Sequence, residues 1–172
     1  EQGTSASHIA AAKFMDAMAR FPGNDGEDAD ATSAYTQVVM DEMHDYHDVE
    51  TWISLPPDHR PKSWAKFDDP VCKLRLNLYG HPLAGLLWEK HSTKILLSEG
   101  FEKVKGWECL FVHKEQKLFV SVYVDDYKMA GCKANLKAMW TRLGKKLELD
   151  SPVSLHNSTY LGCQQECVTV PA

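Results

Sequence analysis

The stretch Leu118-Phe119-Val120-Ser121-Val122-Tyr123-Val124-Asp125-Asp126-Tyr127-Lys128-Met129 decides how this chain folds. An apolar and aromatic run delivers two adjacent carboxylates and then resumes, which reads as strand, tight turn, strand. Like charges side by side at the tip of a buried-looking strand stay ionised only with solvent, a cation or another partner. A hard divalent metal is one such partner.

Working outward, Trp107 to His113 reads as a strand joined to Leu118–Val124 by the polar loop Lys114-Glu115-Gln116-Lys117, a hairpin. On the other side, Tyr127 to Ala130 returns as a strand and Gly131 is expected to break the sheet. Lys133 to Leu147 follows as a helix, with Leu136, Met139, Trp140, Leu143 and Leu147 on one face and basic residues on the others. Those bases read as solubilising, with phosphate contact as the sharper alternative. Tyr160-Leu161-Gly162-Cys163 reads as a last short strand.

Upstream, Ala84, Leu87, Trp88, His91 and Ile95 recur at helical spacing, with Pro82 expected in the first turn and Gly100 closing the helix. Val71 to Leu78 reads as a strand, Asp58 to Pro70 as a loop, and Thr51 to Leu55 as a strand stopped by Pro56-Pro57. Asp41 to Glu50 is expected to be an exposed connection. Asp30 to Met40 reads as a weak strand running into a short helix, and Asn24 to Asp28 as a loop. Ser5 to Phe21 reads as an amphipathic helix capped by Ser5 or Ser7 and ended by Pro22-Gly23. Trp52, Trp88, Trp107 and Trp140 are core candidates. The sum is an α+β domain: an antiparallel sheet with helices on one face, leaving the other free for a ligand.

At 172 residues and 44% hydrophobic the chain fills one core, so one domain is expected. Glu1-Gln2-Gly3 reads as an entry in mid-protein, hence a segment of a longer polypeptide. No apolar run approaches the roughly 20 residues that span a bilayer, and no signal peptide is visible, so no membrane partner is expected. Five scattered cysteines argue against a disulfide framework and for a reducing, intracellular setting. Cys163, Cys167 and His156 lack the paired spacing of structural zinc ligands. Charge is uneven. Phe21 to His59 holds ten carboxylates and no Lys or Arg, whereas Arg60 to Ala172 holds 17 basic and 12 acidic residues, formally +5. The acidic part suits solvated loops or a metal-binding region, and the basic part is compatible with a polyanion.

Nucleotidyl transfer suits such a pattern. It needs two divalent cations roughly 3.5–4 Å apart, held by carboxylates brought together from separate elements. Asp125 and Asp126 on a turn supply two, and Asp28 and Asp30 are candidates for the third. Asp30 is favoured because Ala34-Tyr35 follows at a spacing that lets Tyr35 lie over the sugar of an incoming nucleotide, where a large ring would clash with a ribose 2′-hydroxyl.

These residues match a known family. Tyr123-Val124-Asp125-Asp126 resembles the Tyr-x-Asp-Asp motif of reverse transcriptases, and Asp30-x-x-x-Ala34-Tyr35 resembles their first aspartate motif. Asn77-Leu78-Tyr79-Gly80 with Trp88 downstream resembles the copia-type Leu-Tyr-Gly-Leu-Lys-Gln-Ala-Pro-Arg-Ala-Trp pattern. Cys109-Leu110-Phe111-Val112 and Tyr160-Leu161-Gly162 resemble that family's Cys-Leu-Phe-x and Phe-Leu-Gly segments. Order and spacing agree over about residues 28 to 165.

The resemblance implies a single, partial reverse transcriptase domain over residues 1–172, with a helix in 1–22 leading into a palm with a ferredoxin-like core. It implies primer extension with dNTPs on an RNA or DNA template, using two Mg2+ ions, with Mn2+ as an alternative. It assigns Asp30, Asp125 and Asp126 as metal ligands and catalytic residues. Tyr35 becomes the sugar gate, Tyr123 a support for the primer–template, and Gly80 a substrate contact. The implied partners are the rest of the Pol polyprotein, integrase and ribonuclease H, in a cytoplasmic particle or the nucleus. Leu83 stands where the family has Gln, the segment before Asp30 is polar, and a basic fingers strand is missing upstream of Asp30. A catalytically silent retroelement-derived domain is therefore the alternative, and a magnesium-dependent phosphohydrolase a weaker third.

Overall fold

Two hairpins in succession build the centre of the sheet. The computed structural model describes residues 9–40 and 50–156, with the backbone of 159–160 and 163–164. Strands β5 (Leu110–His113) and β6 (Leu118–Tyr123) pair through the expected polar loop, and β6 turns directly into β7 (Asp126–Cys132). Before them come α1 (Ile9–Ala19), β1 (Asn24–Asp30), β2 (Trp52–Ser54), β3 (Val71–Lys73), α2 (Ala84–Ser98) and β4 (Glu102–Lys103). After β7 come α3 (Lys133–Leu143), β8 (Val153–Ser154), β9 (Thr159–Tyr160) and β10 (Cys163–Gln164). The main sheet runs β4-β5-β6-β7-β1-β8 with every pairing antiparallel. The protein is α+β.

Directly opposed residues of an antiparallel pair share a face. Val120 opposes Met129 and Val122 opposes Tyr127. Together with Leu118 these pack against Leu87, Trp88 and Leu96 of α2 and Leu136, Met139 and Leu143 of α3. The other face carries Phe119, Ser121, Tyr123, Asp126, Lys128 and Ala130, and α1 lies across part of it. Met15 packs with Leu110 and Ala130, and the Phe14 and Phe119 rings meet edge to face at 5.0 Å. The helices therefore do not share one face, as the sequence led us to expect. The apolar side of α1 needs cover, and only the second face has apolar residues left to give it.

Asn24–Asp28 is a strand and not a loop. Its backbone is paired on both edges, with β7 and with β8. Of its charges, Asp25 binds Lys133 at 3.0 Å, and that hydrogen bond holds its carboxyl below the usual range. Gly131 does not break the sheet either. It sits within β7 opposite Leu118 at φ +142°, and a Cβ there would lie 2.2 Å from the Lys117 carbonyl, so only glycine fits.

Other boundaries move for local reasons. The helix after Gly80 starts at Ala84, so Pro82 precedes it. His81 ties down the residues just before the helix: its Nδ1 accepts from the Leu83 N–H at 3.2 Å, which leaves Nε2 to donate to Thr51 Oγ1 at 3.0 Å. Gly100 does close that helix, with Phe101 N–H donating to the Leu96 carbonyl and Gly100 N–H to that of Leu97. The helix after Lys133 stops at Leu143, and Gly144 N–H still reaches the Trp140 carbonyl, after which Leu147 is buried beyond the helix. The strand expected over Val71 to Leu78 is regular only to Lys73, with a single bridge from Leu76 to Val39. That expected from Trp107 begins at Leu110, because Cys109 takes φ +53°.

Asp30 to Met40 leaves the sheet after a bridge at Ala31 and makes a 3-10 turn at Ala34–Gln37. The expected strand across Tyr160 to Cys163 is a small pairing of β9 with β10. Asp58 to Pro70 holds two 3-10 turns, Pro57–His59 and Lys62–Lys66. Trp88 and Trp140 are buried, whereas Trp52 is 54% exposed and Trp107 is at the surface. The helix expected over Ser5 to Phe21 runs from Ile9 to Ala19; its proposed caps Ser5 and Ser7, the 41–49 connection and Cys167 lie outside the described residues. Among the described residues no helix is long and apolar enough to cross a membrane.

Candidate active site

The β6–β7 turn has two central residues, Val124 and Asp125. Only Val124 takes positive φ, at 53°, the type II′ arrangement that matches the twist of flanking strands. A β-branched residue there is strained by about 1–3 kcal/mol, and such strain persists only where surroundings hold it. Both turn carbonyls are held. Trp88 Nε1 donates to the Val124 carbonyl at 2.5 Å, and the Ala31 N–H donates to that of Asp125 at 2.8 Å. A second contact ties α2 to β7, a short hydrogen bond between Ser92 and the buried Tyr127 hydroxyl, whose ionisation is pushed up by burial. The turn is thus clamped between α2 and the end of β1.

The same pairing sets the carboxylates. Asp30 ends β1 directly opposite Asp126, the first residue of β7, and Tyr123 opposes Asp126 from β6. All three lie on the face that α1 covers only further along, so among the described residues no helix covers this end of the sheet. Asp126 is pushed up to about 6, first by burial, then by its hydrogen bond with Asp30 and by the charges of Asp30, Asp125 and Asp28. Asp30 and Asp126 are therefore held together where burial and the neighbouring charges disfavour ionisation of Asp126. That donor set, hard oxygens in excess of local positive charge, fits a divalent cation. Asp125 points into solvent from the turn and does not close the group: among the described residues no three ligating side chains are gathered around one point.

Tyr35, in the 3-10 turn after β1, is half-buried. Burial raises its phenol, with lesser contributions from the charge of Asp125 and from Tyr79. The Tyr35 and Tyr79 rings are 4.5 Å apart, tilted by 44°. Gly80 follows Tyr79 at φ +91° in the loop before α2. Leu83 turns into the core cluster and not toward the carboxylates.

Of the expected residues, Asp30, Asp126 and Tyr123 meet at one sheet end, Asp125 and Tyr35 flank them, and Gly80 adjoins through Tyr79. Sequence reasoning placed Trp88 only in the core and gave Tyr79 no role. Both stand inside the Leu78-Tyr79-Gly80…Trp88 pattern, which was the available signal. Three of the bases over Lys133 to Lys146 are engaged: Lys133 pairs with Asp25, and Arg142 and Lys146 pair with Glu99 at 2.7 and 2.6 Å.

Among the described residues one end of the antiparallel sheet sets Asp30 against Asp126 beside a clamped two-residue turn, and the comparisons give the chain a family. The chain belongs to the reverse transcriptase (RNA-dependent DNA polymerase) family, whose model matches residues 28–169. It is a copia-type reverse transcriptase region of Pol. It is 28% identical over 93 residues to the truncated transposon Ty1-A Gag-Pol polyprotein of Saccharomyces cerevisiae, covering 53% of this chain and 7% of that protein. The transposon Ty1-DR4 and Ty1-DR5 Gag-Pol polyproteins of the same yeast match with the same identity, each covered over 5% of its length. The chain therefore spans well under a tenth of the curated relatives it matches. No solved structure matches it.

Proposed function

We propose that this chain is the palm, with part of the fingers, of an RNA-directed DNA polymerase that extends a primer with dNTPs on an RNA or DNA template. The whole of residues 1–172 forms one partial domain, the segment 1–22 leading into a ferredoxin-like palm at 28–165, and works within a longer Pol polyprotein beside integrase and ribonuclease H. A cytoplasmic particle or the nucleus is the setting. The observation that carries the reading is the opposition of Asp30 and Asp126 beside a clamped turn, with Asp126 held up to about 6 by burial and by its neighbours' charges.

Asp30 and Asp126 would hold a divalent cation, Mg2+ or Mn2+, with Asp125 joining them from the turn. When bound, two such ions lower the pKa of the primer 3′-hydroxyl and neutralise charge on the triphosphate. The chain's own residues orient. Tyr35 stands beside the carboxylates as the sugar gate, Tyr123 presents its ring on the same open face toward the primer–template, and the backbone at Gly80 lines the nucleotide's approach. The test is Mg2+-dependent primer extension by the chain together with its flanking Pol regions. Asp30→Asn and Asp126→Asn should each abolish extension while the protein still folds; full extension by either variant overturns the assignment.

A second reading rests on Leu83. The family Gln there would reach the nucleotide, and the leucine is packed into the core. A domain that keeps the fold and at most binds nucleic acid would show no extension in the wild type, in the same assay.

A further inference from the structure

We propose that Tyr79 is a specificity-determining positioning residue: it braces Tyr35 so that the two rings act as one rigid unit, selecting deoxyribose over ribose in the incoming nucleoside triphosphate. This rests on the polymerase reading and adds a residue to it.

The argument starts from what holds Tyr79. It lies in the loop before α2, and the preceding Asn77 is fully buried and fixes that loop on three sides. The Asn77 N–H donates to the Val38 carbonyl at 2.9 Å, and its Nδ2 to the Ala84 carbonyl at 2.9 Å. Its Oδ1 accepts from the Leu78 N–H at 2.9 Å. The backbone under Tyr79 is therefore tied at once to α2 and to the segment that follows Tyr35. Gly80, at φ +91° with no atom near where a Cβ would stand, lets the chain reverse directly after Tyr79.

The ring itself is 55% exposed, so burial does not explain a large aromatic side chain at this point. Its aromatic contact is Tyr35, at a centroid distance of 4.5 Å and a tilt of 44°, within the range of favourable ring pairs. Tyr35 sits on a short 3-10 turn whose preceding residue, Ser33, takes left-handed backbone angles. Such a turn anchors a long side chain at one end only.

Rigidity is what a steric gate requires. A ring rejects a 2′-hydroxyl only if it cannot swing aside at less cost than the clash; Tyr35 is half-buried and rests partly against the core cluster, and the motion left to its ring is stopped only where a neighbour covers it. Tyr79 is that neighbour. Tyr35 makes the clash, and Tyr79 makes the clash unavoidable. The substrate class addressed is a nucleoside triphosphate, and the property is the ratio of deoxy- to ribonucleotide use, not affinity for either.

The test is single-nucleotide primer extension by the chain with its flanking Pol regions, comparing kcat/KM for a dNTP and the matching rNTP. Tyr79→Ala should lower the dNTP-over-rNTP ratio about two- to tenfold, the range of an aromatic pair, mainly through gain of rNTP use. Tyr79→Phe keeps the ring and should keep the ratio near that of the wild type. Tyr35→Ala should lower the ratio further, and Tyr35→Ala with Tyr79→Ala should match Tyr35→Ala alone, because a brace has no effect once the gate is gone. A Tyr79→Ala ratio equal to that of the wild type, a parallel loss with both nucleotides, or additive single effects would overturn the inference while leaving the polymerase reading intact. A wild type that extends no primer overturns that reading and the inference with it.

Discussion

Asp126 is asked to do two opposed things, to ionise and to sit beside another aspartate in a half-buried turn. Its carboxyl holds a proton up to about pH 6, against 3.8 for an ordinary aspartate, first through burial and then through Asp30. The folded state therefore binds that proton more tightly than the unfolded state, and stability falls as pH rises from about 3.8 to 6. A fully buried group would lose ~3 kcal/mol over that range; partial exposure reduces this to ~1 kcal/mol. Asp126→Asn removes the penalty while keeping the shape. Its melting temperature without divalent cations should exceed that of the wild type by about 2–4 °C at pH 7.5, the gap closing toward pH 4. A variant less stable than the wild type at pH 7.5, or a gap that widens in acid, would refute this. Added Mg2+ should raise the wild type selectively, since a cation relieves the same repulsion. At this scale the sequence was legible for where the acids lie: Asp125-Asp126 and Asp30 stand in short motifs, and β1 and β7 bring Asp30 and Asp126 opposite each other. It was silent on Trp88, whose indole N–H caps the Val124 carbonyl 36 residues away. Such a partner is set by tertiary packing, and helical periodicity reports only that the ring is inside.

Helix α1 shows how an element is placed by what is left over. The sheet face under α2 and α3 is filled, so α1 takes the opposite face, and it does so over a buried charge. Lys128, 1% exposed on β7, forms a short ion pair with Asp16 of α1. Taking one member from such a pair strands the other away from water, which costs more than the pair contributes. Asp16→Ala should lower stability by about 2 kcal/mol in urea unfolding, Asp16 being itself partly exposed, and adding Lys128→Met should restore most of it. A double variant no more stable than Asp16→Ala would show that Lys128 matters for its other contacts. The element the sequence hid was β1. Alternation is readable only when one face is apolar, and Asn24-Asp25-Gly26-Glu27-Asp28-Ala29-Asp30 offers just Gly26 and Ala29 to the interior. Gly26 reads as a loop residue, yet a Cβ there would lie 2.8 Å from that of Ala19, so its smallness admits α1. By contrast β6, α2 and α3 were readable because their apolar periods are strong, and only their ends moved.

At the scale of the molecule, stability is divided unevenly between two parts. The six-stranded sheet with its helices contains the buried core, whereas β2 and β3 form a separate two-stranded pair whose residues are all exposed or intermediate. Trp52, Phe67 and Val71 stay at its surface, and a two-stranded ribbon without an apolar face is marginal in water. This pair should open locally without the sheet. In native-state hydrogen exchange the amides of Trp52–Ser54 and Val71–Lys73 should exchange at least about a hundredfold faster than the paired amides of Leu118–Tyr123 and Met129. Their exchange should respond weakly to low denaturant, as expected when little surface is exposed on opening. Equal protection in both sets would mean that the ribbon unfolds only with the core.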